Sequence, residues 1–243
     1  MGYVLVTGAS EGIGKAIAYK FARQHHPLIL VSRQVDKLNV IKEDIEERYG
    51  VEVIICPADL AVPQAVDEMY DRAMKHEIEV FVNNAGFGDY NRAWDVDIDQ
   101  ISKMIDVNVK ALTRLSLRFI QDHKKKPVTL INVSSAMGYA IYSDAVAYSA
   151  TKFYVSAFTE GIAQNLKEGV FPLRVKLLAP GPVTTEFEKN AITKSSMSES
   201  EWEGPHTAEE MANFAYRLYA SDQIVSLREG ETMRIQDPLF GYE

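Results

Sequence analysis

The fold is decided by a short apolar run that leads directly into a glycine-rich turn, Tyr3-Val4-Leu5-Val6-Thr7-Gly8-Ala9-Ser10-Glu11-Gly12-Ile13-Gly14. The run has the character of a buried strand, and helical periodicity begins near Ile13, so the glycines join a strand to a helix. Glycines at such a junction allow a tight turn and let backbone N–H groups approach a pyrophosphate at the helix N-terminus. The stretch favours a dinucleotide-binding α/β fold, although glycine turns of this kind also occur where nothing binds.

Outward from this turn, short apolar runs alternate with stretches of helical period, which is typical of βαβ units in a parallel sheet. We predict one domain, residues 1–243, with a Rossmann-like doubly wound parallel sheet of about seven strands and helices on both faces. The predicted strands lie near residues 3–7, 27–32, 51–56, 79–83, 128–133, 173–179 and 232–236, and the predicted helices near 12–24, 35–49, 63–75, 99–122, 147–168 and 207–220.

One stretch, residues 184–206, has no clear periodicity and is predicted to be a loop. A long irregular loop in a compact domain is often a lid over a binding site, the alternative being a mobile surface segment. We predict that this loop is a substrate lid.

Charge and hydropathy exclude several classes of partner. The formal net charge of −8 opposes binding to a polyanion, and the lysine run at residues 124–126 is too short to reverse this, so nucleic acid is excluded. No apolar segment approaches the roughly 20 residues that cross a bilayer. The chain starts without a basic leader, and its single cysteine, Cys56, lies in an apolar run typical of a core thiol. The sequence therefore predicts a soluble cytoplasmic protein with no membrane partner.

The histidines show no ligand-like spacing, so we expect no metal site. The predicted helices near residues 101–120 and 153–166 carry more apolar residues than one buried face requires. Because a second copy of the chain could cover the excess, we predict a homo-oligomer, a dimer or a tetramer.

The glycine spacing, Gly-x-x-x-Gly-x-Gly at Gly8, Gly12 and Gly14, resembles the short-chain dehydrogenase/reductase family, and further landmarks of that family follow in order. Asp59-Leu60 follows the third predicted strand, and Asn83-Asn84-Ala85-Gly86 ends the fourth. The resemblance runs from about Tyr3 to Thr185. It implies that the cofactor-binding residues include Gly8, Ser10, Gly12, Ile13 and Gly14 at the turn, Asp59 and Leu60 at the adenine, and Asn84, Ala85 and Gly86 beneath the cofactor.

The choice of nicotinamide is predicted from the end of the second strand. An acidic residue there would bind the ribose hydroxyls of NAD, but Ser32 takes that place and Arg33 follows it. A guanidinium can bind the 2′-phosphate of NADP and stack on adenine, so NADP is the predicted cofactor. Glu11 counts against this prediction, because NADP-preferring relatives often have a basic residue just before the second glycine.

Tyr148 and Lys152 lie four residues apart, on one face of a predicted helix. A nearby ammonium favours the phenolate and makes the tyrosine better suited to proton transfer. The pair alone is common by chance, but the family resemblance implies that Tyr148 is the catalytic acid/base, that Lys152 also binds the nicotinamide ribose, and that Ser135 holds the substrate oxygen. The adjacent Ser134 is expected to support the turn.

Asn108 places an amide midway along a long apolar helix. The resemblance implies that this asparagine disturbs the helix and holds a water that links Lys152 to solvent, and the alternative is a satisfied core amide. After the sixth strand, Ala179-Pro180-Gly181-Pro182-Val183-Thr184-Thr185 is similar to the family segment that binds the nicotinamide carboxamide. Pro180, Gly181, Val183 and Thr184 are the candidates, with Thr185 weaker.

These resemblances imply an NADP(H)-dependent oxidoreductase that transfers hydride between the nicotinamide and a carbonyl or secondary alcohol. One alternative is an NADP-binding sensor without turnover, and another is a reductase of a carbon-carbon double bond. The expected pocket walls, residues 86–88 and 137–142 with Phe187, Met197 and Trp202, are mostly apolar and aromatic, so we expect a substrate with hydrophobic bulk.

Overall fold

The backbone is organised around one open β-sheet in the computed structural model, which describes residues 1–184, 206–229 and 232–241. Its strands are β1 (Tyr3–Thr7), β2 (Leu28–Val31), β3 (Val53–Ile55), β4 (Ile78–Asn83), β5 (Thr129–Val133), β6 (Arg174–Ala179), β9 (Val225–Glu229) and β10 (Thr232–Gln236), and a separate small pair is formed by β7 (Val183–Thr184) and β8 (His206–Thr207). The strand order in the large sheet is β10-β9-β6-β5-β4-β1-β2-β3. All neighbours are parallel except β9 and β10, which are antiparallel.

Helices cover both faces of this sheet. They are α1 (Gly12–Ala22), α2 (Val35–Tyr49), α3 (Pro63–Ala73), α4 (Ile98–Ile105), a π-helical turn (Asp106–Ala111), α5 (Leu112–His123), a 3₁₀ turn (Ala136–Gly138), α6 (Val146–Glu168) and α7 (Ala208–Ala220). Val4 and Val6 of β1 pack in the cluster that contains side chains of α1, α2 and α7, whereas Leu5 packs in the cluster that contains α3, α5 and α6. Alternate side chains of one strand thus reach opposite layers, as a doubly wound sheet requires.

The predicted fold class is confirmed, with three differences in detail. The sheet has eight strands among the described residues, one more than predicted. The additional strand is β9, whose five residues include Ser226, Arg228 and Glu229 and therefore do not form a continuous apolar run. The last strand, β10, is antiparallel and lies at the edge. The predicted helix at 99–122 is divided by the π-helical turn, which the periodic apolar pattern does not reveal.

The predicted lid, residues 184–206, lies outside the described residues except at its two ends. There Val183 pairs with His206 and Thr184 pairs with Thr207 in parallel register. Thr207 then caps α7 in a reciprocal arrangement with Glu210, whose backbone N–H donates to the threonine hydroxyl at 3.1 Å. Residues 184 and 206 are therefore held close together in space. Within the described residues, none of the helices has the length and apolar character needed to cross a bilayer.

Candidate active site

An open crevice of about 1740 Å³ follows the carboxyl edge of the sheet. The segments that leave β1, β2, β4, β5 and β6 all contribute to its walls. This is the position where open α/β sheets bind ligands, and β1 and β4 lie at the centre, where the order of strands reverses. The lining residues that the sequence predicted are Gly8, Ser10, Gly12, Ile13, Ser32, Arg33, Asp59, Leu60, Asn84, Ala85, Gly86, Ser135, Tyr148, Lys152, Pro180, Gly181 and Val183.

The glycine turn forms one end of the crevice. Gly8 and Gly12 have φ angles of +67° and +55°, which L-residues with side chains rarely adopt. Gly14 does not line the crevice but packs beneath it. A Cβ at Gly14 would lie 2.3 Å from the carbonyl oxygen of Gly8 and 2.5 Å from the side-chain nitrogen of Asn84. The turn and the first helix can therefore approach each other only because no side chain separates them.

The end of β1 is tied to the end of β4 by the buried Thr7 hydroxyl. Its oxygen accepts hydrogen bonds from the backbone N–H groups of Asn84 and Ala85, each at 3.0 Å. The Asn84 side-chain amide donates back to the Thr7 carbonyl oxygen at 3.0 Å. These bonds fix the Asn84-Ala85-Gly86 element against the glycine turn, so that both face the same crevice. Thr7 belongs to the glycine motif in the sequence, but the sequence did not predict its structural role in the site.

At the predicted adenosine end, Ser32 and Arg33 leave β2 beside the turn. The Ser32 hydroxyl donates to the Ser10 hydroxyl at 2.9 Å. A guanidinium nitrogen of Arg33 lies 3.7 Å from a carboxylate oxygen of Asp59, and the Arg33 side chain is 70% exposed. An ion pair exposed to this extent contributes little to stability, so the guanidinium can reorient toward a ligand at small cost.

At the other end, Ser135, Tyr148 and Lys152 line the same wall of the crevice. The Ser135 oxygen accepts a hydrogen bond from the backbone N–H of Met137 at 3.1 Å, which leaves its O–H to donate to a ligand. Tyr148 is 4% exposed, and its ring meets the ring of Tyr90 edge to face, with centroids 5.6 Å apart. The phenol is thus held by packing while it borders the crevice.

Lys152 is buried beside Tyr148, with its Nζ 5.6 Å from the centre of the tyrosine ring. The same Nζ donates a hydrogen bond to the carbonyl oxygen of Val133 at 3.1 Å. Burial lowers the pKa of Lys152 to about 8, because desolvation disfavours the ammonium. Its charge therefore becomes sensitive to pH in a range where an exposed lysine would remain fully protonated.

The neighbouring serine has a different environment. The Ser134 hydroxyl donates to the backbone carbonyl of Lys152 at 2.9 Å and shares a hydrogen bond with the Ser156 hydroxyl at 2.8 Å. Both serines are buried, so Ser134 joins the end of β5 to the middle of α6. This geometry agrees with the expectation that Ser134 supports the turn.

Asn108 lies in the π-helical turn, where the helix is disturbed as the resemblance implied. Its side-chain oxygen accepts from the backbone N–H of Phe87 at 3.1 Å, and its nitrogen donates to the Phe87 carbonyl at 2.9 Å and to the Thr151 hydroxyl at 3.2 Å. Both amide N–H groups are in use, so only the oxygen has hydrogen-bonding capacity left. A Cβ built on Gly86 would lie 2.9 Å from this oxygen and 3.6 Å from the Lys152 Nζ, so both groups lie close to Gly86.

The segment after β6, residues 180–183, forms another part of the crevice wall. The Pro180 carbonyl accepts a hydrogen bond from the Ala136 backbone N–H at 2.7 Å, which ties this segment to the loop of Ser135. Val183 is buried and lines the crevice, but Thr184 is exposed, pairs with Thr207 and is not among the lining residues. Thr185 lies outside the described residues.

The crevice also contains Tyr139, which connects it to the end of the described chain. The Tyr139 hydroxyl donates to the fully buried carboxylate of Glu160, and that carboxylate also accepts the backbone N–H groups of Leu239 and Phe240 at 2.7 and 2.9 Å. The Tyr139 and Phe240 rings stack with centroids 5.4 Å apart. Tyr139 was expected in the pocket wall from the sequence. Glu160 was not, because a single acidic residue in a helix normally lies in solvent.

A doubly wound sheet with a glycine turn at one end of its crevice and a serine, tyrosine and lysine at the other is the arrangement of dinucleotide-dependent oxidoreductases. Comparison with known proteins makes the assignment specific. A family model described as short chain dehydrogenase matches residues 2–196. The chain belongs to this family.

Individual relatives agree with the family. The chain is 32% identical over 199 residues to mouse (Mus musculus) very-long-chain 3-oxoacyl-CoA reductase, and the match covers 77% of this chain and 61% of the mouse protein. The matched region is thus less than two thirds of that relative. A short-chain dehydrogenase from Sphingobium yanoikuyae, solved in complex with NADPH, is 27% identical with a TM-score of 0.83, covering 93% of this chain and 87% of the other. A family member from Burkholderia phymatum, solved with NAD, is 21% identical with a TM-score of 0.80, covering 92% and 87%.

Proposed function

We propose that the protein is an NADP(H)-dependent oxidoreductase that interconverts a carbonyl compound and a secondary alcohol, with Tyr148 as general acid/base. The observation that carries this proposal is the presence of Ser135, Tyr148 and Lys152 on the wall of the same crevice that begins at the glycine turn. An NADP-binding sensor would have no need for this cluster.

The residues of the crevice fit a dinucleotide. A Cβ at Gly8 or Gly14 would crowd Asn84, so the glycines let the turn pack closely against this element. No side chain caps the N-terminus of α1, which leaves its first backbone N–H groups for a pyrophosphate. We assign Ser32 and Arg33 to the phosphorylated ribose, because they end β2 and no acidic residue takes their place. The remaining contacts are assigned to Ser10, Gly12, Ile13, Asp59, Leu60, Ala85, Gly86, Pro180, Gly181, Val183 and Thr184.

When bound, the nicotinamide would donate hydride to, or accept it from, the reacting carbon. In the direction of reduction, Ser135 and Tyr148 hold the carbonyl oxygen, and Tyr148 gives its proton to the developing alkoxide. The ammonium of Lys152 stabilises the phenolate that remains, because it lies on the same face of α6. These groups supply positioning and charge stabilisation rather than covalent chemistry.

A proton must then return to Tyr148. The Asn108 side-chain oxygen and the Lys152 Nζ both lie close to Gly86, and a water bound by the two groups would connect the lysine to solvent. The Asn108 oxygen could accept a hydrogen bond from this water, because it has an acceptor position left while both amide N–H groups bind protein atoms. Asn108 thus serves as both a satisfied core amide and a candidate relay group.

The experiment that tests the proposal compares wild type with Tyr148→Phe. Turnover of a panel of ketones and alcohols with NADPH or NADP should be lost in the variant, whereas NADPH binding, followed by fluorescence, should survive. Turnover near the wild-type rate would refute the role of Tyr148. Wild-type binding of NADPH without oxidation across the whole panel would favour the sensor.

Arg33 is the residue at which the proposed preference for NADP can be tested. Arg33→Ala should raise the Michaelis constant for NADPH far more than that for NADH, and equal effects would contradict the assignment of Arg33 to the 2′-phosphate.

A homo-oligomer in the cytoplasm remains our prediction. The exposed side chains of Leu117 on α5 and Tyr154 on α6 support an interface between subunits. A light-scattering mass equal to one chain would reject the oligomer.

A further inference from the structure

A second cation, Lys37, lies beside the predicted adenosine end of the crevice. It belongs to the first turn of α2, and its Nζ is 2.8 Å from a carboxylate oxygen of Glu11. Glu11 lines the crevice between Ser10 and Gly12. The acidic residue that counted against NADP in the sequence therefore has a basic partner that no sequence motif indicated.

The charges at this end of the crevice form two opposite pairs. Arg33 lies 3.7 Å from Asp59, and Lys37 lies 2.8 Å from Glu11. The remaining acidic group nearby, Asp36, is exposed on the first turn of α2 and does not line the crevice. The two carboxylates that line the crevice beside the turn, Asp59 and Glu11, are thus each paired with a cation, and the net charge of the four groups is zero.

This balance matters for a 2′-phosphate, which carries up to two negative charges. An uncompensated carboxylate at Glu11 would repel it across a partly exposed site, whereas a paired carboxylate presents little net field. The N-terminus of α2 adds a favourable contribution, because its first turn has no side-chain cap and its N-cap residue, Gln34, lines the crevice.

We propose that Lys37 is a specificity-determining residue that neutralises Glu11 and thereby permits preference for NADP. The inference rests on the proposed function, since it concerns the cofactor of that same site. The Lys37 and Glu11 side chains are 53% and 34% exposed, so their pairing adds little to folding stability, and its effect is exerted on the ligand.

The test is a double-substitution cycle of wild type, Glu11→Gln, Lys37→Met and the combined variant. Dissociation constants for NADPH and NADH are measured by fluorescence titration at low ionic strength, and circular dichroism verifies folding. Arg48→Met is the matched control, because it removes a cation paired with Asp44 at 3.2 Å near the far end of the same helix. This control should leave both dissociation constants unchanged.

Lys37→Met should raise the dissociation constant for NADPH about fivefold, with a change below about twofold for NADH. Glu11→Gln should shift NADPH binding in the opposite direction, and the combined variant should return to within about twofold of wild type. The effect of Lys37→Met should shrink at high ionic strength, since salt screens exposed charges.

Equal changes for NADPH and NADH in Lys37→Met, or no change, would overturn the proposal. A combined variant as defective as Lys37→Met would also overturn it, because Lys37 would then act without reference to Glu11. The proposed NADP preference fails by a different result: wild type would bind NADH as tightly as NADPH, and Arg33→Ala would affect both alike.

Discussion

Replacing Gly14 with alanine should damage the dinucleotide end of the crevice by pushing the first helix away from the turn. The new Cβ would lie 2.3 Å from the Gly8 carbonyl oxygen and 2.5 Å from the Asn84 side-chain nitrogen. These atoms must separate by roughly 1 Å to reach ordinary contact. The carbonyl belongs to the backbone, so no flexible side-chain end can absorb the whole shift.

The magnitude follows from two opposing contributions. Overpacking of this kind costs about 1–3 kcal/mol, and alanine recovers up to about 1 kcal/mol of helix propensity. We therefore expect Gly14→Ala to lower the free energy of unfolding by about 1–2 kcal/mol in urea titrations. Because a displacement of about 1 Å in a positioned site can reduce its performance by orders of magnitude, NADPH affinity should fall at least about tenfold.

Gly161→Ala provides the matched control. Gly161 lies in the interior of α6, and a Cβ there meets nothing within 4 Å. This change should raise the free energy of unfolding by about 0.5–1 kcal/mol and leave NADPH binding unchanged. If Gly14→Ala were as stable as wild type and bound NADPH normally, the reasoning from close packing of the turn would be wrong.

Three other substitutions test separate parts of the site. A Cβ at Gly86 would lie 2.9 Å from the Asn108 side-chain oxygen and 3.6 Å from the Lys152 Nζ, so Gly86→Ala should displace these groups and lower turnover roughly tenfold or more; an unchanged rate would contradict the proposed relay. Burial lowers the pKa of Lys152 to about 8, so the ammonium destabilises the folded state below pH 8, and this penalty is lost as pH rises from 8 to 10.5. The unfolding free energy of Lys152→Met minus that of wild type should therefore fall by about 3 kcal/mol between pH 8 and pH 10.5. A difference that stays constant with pH would contradict the lowered pKa. Glu160→Gln should cost about 1–3 kcal/mol of stability, because the buried carboxylate accepts three hydrogen bonds, whereas Glu168→Gln, at the exposed end of the same helix, should cost little.

The sequence predicted the fold class because its strands are buried on both faces and therefore appear as continuous apolar runs. The four residues of β2 and the five of β5 are all buried, and both strands were located close to their observed bounds. The strand β9 was missed because Ser226, Arg228 and Glu229 interrupt its apolar character. Its packing depends on β6, which is about fifty residues away, and no local pattern contains that information.

The sequence predicted the crevice residues that lie next to a recognisable strand or helix. It did not predict contacts between elements that are distant in the sequence. Ser135 and Tyr148 line the expected crevice because their positions are set by β5 and α6. The pairing of Lys37 with Glu11 depends on how α2 packs beside the turn, so spacing alone could not reveal it. Thr184 stays a predicted nicotinamide contact; it pairs with Thr207 and is exposed.

The π-helical turn at Asp106–Ala111 makes this part of the chain sensitive to length as well as to residue type. A π turn holds one more residue than an α turn, although both complete one rotation of the chain. Deleting one residue there would therefore restore a regular helix without rotating α4 relative to α5. Met104 would keep its buried cluster, whereas the bulge that brings Asn108 to the backbone of Phe87 would be lost, so the damage should fall on the site and not on the core.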